Sequence, residues 1–161
     1  MPKKPVLDRI DRALLRALSS DARASGAALA TAVGVAESTV STRLRNLRAS
    51  GLIRGYRADI DLSVLGISLQ ALIAVRLGQH NRAAVDSFRS AAPAWPGVVA
   101  MYHTAGKDDY LLHVVAKDAE DLRDFVLTHL ATHPAVAHSE TNLIFERVEG
   151  SGWQALVEAD D

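Results

Sequence analysis

Apolar residues recur at helical spacing in the first third of the chain. Between Leu7 and Leu18 they lie mostly three or four positions apart, which predicts a helix to about Ser20. The alanine-rich stretch AALATAV predicts a short helix that ends at Gly34, and ESTVSTRLRNLRAS predicts a third helix with Gly51 as its cap. Three such helices joined by a tight turn predict a helix-turn-helix, and the following GLIRGYRADI predicts a short hairpin or wing.

From Ser68 the apolar pattern changes to strict alternation. SLQALIAVRL predicts a strand, RAAVDSFRSAAP a helix, and GVVAMYHT and YLLHVVA a hairpin closed by AGKDD. Asp118 then caps a helix that Pro134 ends, and AVAHSETNLIFERV predicts the last strand. The order β-α-β-β-α-β is that of a ferredoxin-like domain.

The fold class that follows is α+β in two domains. We expect a winged helix-turn-helix over residues 1–57, a linker or hairpin over 58–67, a ferredoxin-like domain over 68–150 and a tail over 151–161. A four-stranded antiparallel sheet with helices on one face leaves its other face open. Because the alternating strands put apolar residues on both faces, we expect two copies to associate through the open one.

Composition narrows the class of protein. The chain has 161 residues, 48% of them hydrophobic and 23% charged, which is typical of a folded protein. It contains no Cys, which excludes disulfides, thiolate zinc sites and cysteine nucleophiles. The apolar runs are far too short for a membrane helix, and the first residues do not resemble a secretion signal. We therefore expect a cytoplasmic protein with no membrane partner.

Charge is distributed unevenly along the chain. Residues 1–57 hold 11 Lys and Arg against four Asp and Glu, a net charge of +7. The remaining residues hold 7 against 15, a net charge of −8. A basic first third beside an acidic remainder predicts that the helical domain faces a polyanion, and a helix-turn-helix makes double-stranded DNA the expected partner.

The third predicted helix has an unusual polar face. Opposite and beside its apolar stripe it carries small hydroxyls, an amide and guanidinium groups, which suit close approach to base edges and phosphates. One of them, Arg43, lies near the apolar stripe and has a second interpretation, an ion pair with Asp8 or Asp11 inside the domain. The residues that we expect to contact DNA are Ser38, Thr39, Ser41, Thr42, Arg43, Arg45, Asn46, Arg54 and Arg57.

Histidines and catalytic motifs give weaker signals. His129 and His133 are four residues apart on a helix end and, with His138, have the spacing of a metal site, but a capping pair on the surface is the commoner arrangement. We therefore predict no metal. No phosphate-binding loop or nucleophile elbow occurs, so we predict no catalytic residues, no cofactor and no enzyme activity.

These motifs together resemble the Lrp/AsnC family of bacterial and archaeal regulators over nearly the whole chain. The matching stretches are LDRID at 7–11, DAR at 21–23, VSTRLRNLRASGLIRGY at 40–56, GKDDY at 106–110 and PAV at 134–136. Two positions depart from the family pattern. Ala36 stands where a capping Ser is common, which predicts a weaker start to the third helix, and Ala135 replaces a Gly.

The resemblance implies a transcription regulator whose C-terminal domain, called the RAM domain, dimerises and binds an amino acid or related effector between dimers. It also implies octamers of four dimers, a pseudo-palindromic operator, and regulation of amino-acid metabolism. Asp109 is the favoured partner of the effector's ammonium group, and Gly106 lets the backbone approach its carboxylate. The expected effector site comprises Met101, His103, Gly106, Asp108, Asp109, Tyr110, Ser139 and Thr141.

Two other functions fit parts of the same pattern. An architectural, nucleoid-type DNA-binding protein needs the basic domain but no effector. A siroheme-decarboxylase-like enzyme shares the two-domain plan and uses basic and His residues around a tetrapyrrole instead of DNA. The hydroxyl-rich third helix argues against the enzyme.

Overall fold

The computed structural model describes residues 6–78, 82–150 and 152–156. These fall into two compact units, one from the described residues of Met1–Asp59 and Glu149–Asp161, the other from Ile60–Val148. The first unit contains three helices, α1 (Arg9–Ser20), α2 (Gly26–Val33) and α3 (Glu37–Ala49). The bounds agree with the apolar spacing in the sequence to within a few residues.

The starts and ends of these helices follow from particular side chains. Asp8 caps α1 by accepting from the N–H groups of Ile10 and Asp11, at 2.9 Å each. α2 ends at Gly34, whose φ of 70° is in the left-handed region that glycine adopts without strain. α3 begins at Ala36 with no side-chain cap, as expected from the missing hydroxyl.

One buried residue from each helix forms the centre of the first unit's core. Leu14 of α1, Leu29 of α2 and Val40 of α3 are almost wholly excluded from solvent. Leu47, further along α3, is buried as well. Burial of these side chains fixes the face that α3 turns inward, and so the face that it turns to solvent.

The hairpin predicted after α3 does not form. The N–H groups of Leu52 and Ile53 donate back to the carbonyl of Leu47, at 3.1 Å each, so these residues close the end of the helix. A single segment, residues 54–61, is left before the next short helical turn, and no described residue pairs with it as a strand. One strand without a partner cannot make a hairpin.

The second unit is a four-stranded antiparallel sheet with two helices. Its strand order is β2-β3-β1-β4, that of a ferredoxin-like domain, and the α+β fold class is confirmed. Its elements in chain order are β1 (Leu69–Leu77), α4 (Arg82–Ala91), β2 (Val98–His103), β3 (Tyr110–Ala116), α5 (Ala119–Phe125) and β4 (Val136–Leu143).

The two faces of this sheet differ. On one face Ile73, Leu112 and their neighbours pack against Phe88 of α4 and Phe125 of α5, forming the unit's core. The opposite face, here called the open face, lies away from both helices. Strand register puts on it the apolar residues Leu72, Ala74, Leu111, Val115 and Tyr102 together with Gln70 and His113.

Two boundaries differ from the sequence prediction. The helix that begins at Ala119 changes to a wider π-helical turn over Val126–Leu130 and ends before Pro134. The last strand stops at Leu143. The N–H of Ile144 donates to the carbonyl of Gln70, and β1 itself begins at Leu69, so the neighbouring strand ends at this point. Beyond that point β4 has no neighbouring strand. No helix of the described residues is long and apolar enough to span a membrane.

Candidate DNA-binding and ligand-binding sites

The outward side of α3 presents the polar residues predicted to contact DNA. Ser38, Ser41, Thr42, Arg45 and Asn46 are exposed, and Thr39 is half-buried. A groove of about 730 Å³ runs along one flank of the helix and brings together Ser38, Thr39, Thr42 and Asn46. Ser41 and Arg45 do not line this groove, because the helical turn carries them to the other flank.

Arg43 lies inside the helix-turn-helix. Its Nη1 donates to Asp8 Oδ2 at 2.6 Å and to Asp11 Oδ1 at 3.0 Å. The N–H of Asp11 and the guanidinium hold the pKa of Asp8 below its ordinary value, and the two carboxylates raise the pKa of Arg43. Of the two interpretations of Arg43, the internal ion pair is the one that the structure contains.

Arg54 and Arg57 are exposed in the segment that follows α3. They line a different groove from the one along α3, formed with the C-terminal part of α1. Neither guanidinium makes an ion pair with another residue in the part of the chain that the structure describes. Both are available to a polyanion.

The GKDDY loop is tied tightly to the first strand. Asp109 Oδ2 accepts from the N–H of Leu77 at 2.8 Å, and the Asp109 N–H donates to the carbonyl of Val75 at 2.9 Å. Asp108 lies 3.6 Å from Arg76, whose Nε also donates to the carbonyl of Lys107 at 3.2 Å. Both predicted ligand carboxylates therefore have partners within the chain.

Gly106 has a conformational role in this loop. Its φ is 132°, in the region that side-chain-bearing residues rarely adopt. A Cβ at this position would meet no atom within 4 Å. Glycine is therefore required by the turn of the backbone, and the open space leaves the peptide accessible to a ligand.

Tyr110 is a core residue, which corrects its predicted place in the lining of an open site. It is 1% exposed, with its ring 5.1 Å from Phe88 and stacked on His103 at 4.8 Å between centroids. The Tyr110 hydroxyl is buried and has no hydrogen-bond partner among the residues that the structure describes. Tyr110 begins a strand whose alternate residues all face the helices, and this periodicity carries its ring inward.

The remaining predicted effector residues lie on opposite edges of the sheet. Met101 and His103 are on β2, and Ser139 and Thr141 are on β4, with β3 and β1 between them. At about 4.8 Å between neighbouring strands, the two edges are roughly 14 Å apart. One amino acid cannot touch both sets within a single chain.

The histidines form no surface pair, contrary to the sequence prediction. The ring of His129 stacks on Trp95 at 5.0 Å, and His133 lies against Trp95 and Phe88. His133 Nδ1 accepts the N–H of Ala135 at 3.2 Å. Both rings therefore belong to an aromatic cluster at the end of this helix. His138 lies opposite Arg76 on the neighbouring strand, on the open face of the sheet.

Sequence reasoning missed one residue that shapes the ligand loop. Arg76 holds Lys107 and Asp108 from the neighbouring strand β1. A signal was present, since Arg76 is the one charged residue in the alternating strand LQALIAVRL and an acidic loop follows later. A single arginine in a strand and an acidic loop do not show which strands are neighbours in the sheet.

A three-helix unit with an exposed hydroxyl-rich helix, followed by a ferredoxin-like unit, defines a class of helix-turn-helix transcriptional regulators. Residues 7–48 match the AsnC-type helix-turn-helix domain, and residues 70–153 match the Lrp/AsnC ligand binding domain. The chain belongs to the Lrp/AsnC family.

Similar proteins carry regulatory names. The chain is 46% identical to the HTH-type transcriptional regulator AldR of Mycolicibacterium smegmatis, over 90% of this chain and 85% of that one. It is 34% identical to the transcriptional regulator AzlB of Bacillus subtilis, over 86% and 88% of the two chains. None of these names favours the enzyme alternative.

Solved structures agree in fold. The transcriptional regulator NMB0573 of Neisseria meningitidis, solved as a complex with L-Met, matches with a TM-score of 0.85 at 26% identity, over 90% of this chain and 94% of that one. The structure of MtbAldR, 40% identical, matches with a TM-score of 0.72 over 91% and 99% of the two chains.

Proposed function

We propose that this protein is a sequence-specific DNA-binding regulator of amino-acid metabolism that works in the cytoplasm. The observation that carries the proposal is the outward face of α3. It offers hydroxyls, an amide and a guanidinium to base edges, on a helix whose opposite face is fixed by the buried core residues Val40 and Leu47. In this proposal Ser38, Thr39, Ser41, Thr42, Arg45 and Asn46 contact the major groove, and Arg54 and Arg57 contact phosphates.

Arg43 has a positioning role in this proposal. Its ion pairs with Asp8 and Asp11 join α3 to the start of α1. The guanidinium thereby supports the angle at which α3 meets DNA. The predicted direct contact between Arg43 and DNA is replaced by this indirect one.

Replacement of Arg45 by Ala tests the DNA proposal. Loss of a bidentate base contact weakens binding by about ten-fold or more. Arg89→Ala is the matched control, because Arg89 is an exposed arginine on α4 of the other unit. Binding is measured against an operator selected from random DNA, with unrelated DNA as competitor. Equal affinity of the two variants would remove Arg45 from the interface, and equal binding of all sequences would favour the architectural alternative.

Self-association follows from the open face of the sheet. Its apolar residues include Leu72 and Leu111, and Tyr102 at its edge is 53% exposed. Two copies joined through this face present two α3 helices to successive major grooves of a pseudo-palindromic operator. Four such dimers make the proposed octamer. Light scattering should give at least the dimer mass, and Leu111→Glu should lower it.

An amino-acid effector between dimers is the second part of the proposal. Met101 and His103 lie on one sheet edge and Ser139 and Thr141 on the other, while the loop Gly106–Tyr110 is bonded to β1 between them. A site that includes residues of both edges therefore needs two copies. The similarity to a regulator solved with L-Met supports an amino acid as ligand. No cofactor is part of this mechanism.

A thermal-shift screen of the twenty amino acids tests the effector, because a ligand of the native state raises the melting temperature. Asp109→Asn is the informative variant. It removes the charge that the ammonium group needs but keeps an oxygen to accept the Leu77 N–H. We expect the shift to disappear while operator binding persists. Loss of both would instead indicate that Asp109 acts only in folding.

A further inference from the structure

A groove of the ferredoxin-like unit lies between α5 and the end of β3, away from the GKDDY loop. Its cavity volume is about 470 Å³, which is the size of a small-molecule site. β3 begins at Tyr110, in that loop, and ends at Ala116, which lines the groove. At about 3.4 Å per residue, the two ends of the strand are roughly 20 Å apart. The groove is therefore separate from the predicted effector site, whose residues lie toward the other end of the sheet.

The helix that begins at Ala119 turns a polar face to this groove. Residues spaced i, i+3, i+4, i+7 and i+8 share one side of a helix. Five residues with this spacing line the groove, which are Asp121, Asp124, Phe125, Thr128 and His129. Leu122 and Leu130 lie beside this face and pack into the core. The core of the unit therefore does not require polar side chains at these positions, and packing alone does not explain them.

Short contacts hold the shape of the groove. Gly97 has a φ of 89°, and a Cβ at this position would lie 2.8 Å from the carbonyl oxygen of Val115. Glycine therefore allows the start of β2 to lie this close to β3. The ring of His129 stacks on Trp95, with 5.0 Å between the centroids. Thr128 and His129 belong to the π-helical turn, a type of turn that is frequent at functional sites.

Charged groups of opposite sign line the groove. Lys117 is exposed, and its ammonium group makes no ion pair with another residue in the described part of the chain. Asp124 is paired at 3.7 Å with exposed Arg123, an arrangement that contributes little stability. Asp121 lies between Lys117 and Asp124 in the sequence, and its Oδ2 accepts the N–H of Lys117 at 3.0 Å. The ammonium group of Lys117 and the carboxylate of Asp124 are therefore both available to a ligand.

The separation of these two charges sets the length of the ligand. Asp118 caps the helix, and Asp124 follows it by six residues, a rise of roughly 9 Å. Lys117 precedes the cap, which puts its backbone and that of Asp124 roughly 10 Å apart. A single amino acid spans about 3.5 Å of backbone, and two residues span about 7 Å. Because the Lys117 side chain covers the remainder, a dipeptide can join both charges, whereas one amino acid is too short.

We propose that this groove binds a dipeptide with apolar side chains. The terminal carboxylate of the dipeptide lies on Lys117, its terminal ammonium group lies on Asp124, and Oδ1 of Asp121 accepts its peptide N–H. Its side chains pack against Val115 and Phe125, which are part of the apolar lining. One chain supplies every contact, and none of them involves DNA or a second copy. The site therefore goes beyond the proposed function and does not depend on it.

Trp95 gives a direct measurement of occupancy. The chain has two tryptophans, so Trp153→Phe leaves Trp95 as the single one. Because the ring of His129 that stacks on Trp95 also lines the groove, an occupant should change the emission of Trp95. The probes are L-alanyl-L-alanine, L-valyl-L-valine and L-leucyl-L-leucine, titrated into the full chain. We expect a saturable change with at least one of them, and a far smaller change with L-leucine at the same concentration.

Two derivatives of the bound dipeptide test the charged contacts. N-acetylation removes the ammonium group, and amidation removes the carboxylate. Each change deletes a hydrogen bond between charged groups, so each derivative should bind more weakly by about ten-fold or more. Undiminished binding of either derivative would contradict the proposed contacts.

Matched variants test the same contacts from the side of the protein. Asp124→Asn and Lys117→Gln should each lower the affinity by about ten-fold or more, because each removes one charge and keeps a polar side chain. Glu120→Gln is the control, since Glu120 is an exposed acid on the same helix that does not line the groove. Asp109→Asn should also leave the dipeptide affinity unchanged, because Asp109 lies in the GKDDY loop.

Three further results overturn the proposal. An unchanged Trp95 emission with all three dipeptides excludes the groove as their site. Equal losses in Glu120→Gln and Asp124→Asn show that overall charge is responsible, and a loss in Asp109→Asn assigns the signal to the shared effector site. Failure of the proposed function looks different, because the wild-type protein then does not prefer an operator to unrelated DNA, whatever the result with dipeptides.

Discussion

Arg43 and Asp8 are 35 positions apart in the sequence and lie 2.6 Å apart in the structure, from the guanidinium Nη1 to the carboxylate Oδ2. The same carboxyl group caps α1 through the N–H groups of Ile10 and Asp11. One side chain therefore determines both where α1 begins and how α3 is held against it. Arg43, which the sequence predicted to contact DNA, therefore holds α3 against the start of α1.

Arg43→Gln should therefore lower stability more than it lowers intrinsic DNA affinity. The variant loses both ion pairs but keeps a long polar side chain, so the core residues stay in place. We expect a lower melting temperature of the DNA-binding unit, and well below melting a smaller loss of operator affinity than for Arg45→Ala. Thermal unfolding and binding isotherms on the same samples check this. A loss of affinity as large as that of Arg45→Ala, with unchanged melting, would restore Arg43 as a direct contact.

The uncapped start of α3 predicts a stabilising substitution. Ala36 has the extended backbone of a cap residue, φ −68° and ψ 148°, but no side-chain oxygen for the first N–H groups of the helix. Ala36→Ser supplies one and should stabilise the unit by about 1 kcal/mol. Ala36→Val is the control, since Val adopts the same extended backbone without a hydroxyl and is as poor a cap as Ala. Chemical denaturation measures both, and equal effects would mean that the hydroxyl makes no cap.

Local signals predicted most of the fold. Glycines, capping side chains and the change of apolar period from helix to strand located the three helices of the first unit and the two helices and four strands of the second. The hairpin after α3 was wrong, because a glycine-rich stretch does not reveal that Leu52 and Ile53 donate back to the helix end. The early end of β4 also depends on the neighbouring strand, since β1 extends no further than the residues beside Ile144.

The candidate sites were less predictable, for a related reason. The polar face of the third predicted helix indicated which residues would face DNA, but the ion pair of Arg43 needs a partner 35 positions away. The eight effector residues were grouped by their places in the sequence. Sheet order then put Met101 and Thr141 on opposite edges, and strand alternation turned Tyr110 into the core. Sequence spacing gives no direct measure of strand order.

The hydroxyl of Tyr110 gives a test that separates core packing from ligand binding. A buried hydroxyl without a partner costs about 1–3 kcal/mol. Tyr110→Phe removes the oxygen, keeps the ring between Phe88 and His103, and should raise stability by about 1 kcal/mol. Denaturant unfolding without ligand measures this gain. The same variant should respond to amino acids as wild type does. A lost response with a retained fold would show that the hydroxyl binds the effector.

Stability should fall as the pH drops below about 6.5, the ordinary pKa of histidine. Burial lowers the pKa of His133, and burial together with the charge of Arg147 lowers that of His113. Because both groups then take up protons more readily in the unfolded chain, the unfolding free energy is at its full value above pH 6.5 and decreases below it.

The variant His113→Gln, His133→Asn isolates this effect. Neither replacement takes up a proton, and each keeps a polar group for the partner of the original ring, Gln70 or the N–H of Ala135. Denaturant unfolding at pH 7.5 and pH 5 should show a smaller loss for the variant than for wild type. The pKa of Asp8 is held below its ordinary value, so Asp8 stays ionised between pH 5 and pH 7.5. Its ion pair with Arg43 therefore does not contribute to the measured difference. Equal losses in the two proteins would assign the pH dependence to other groups.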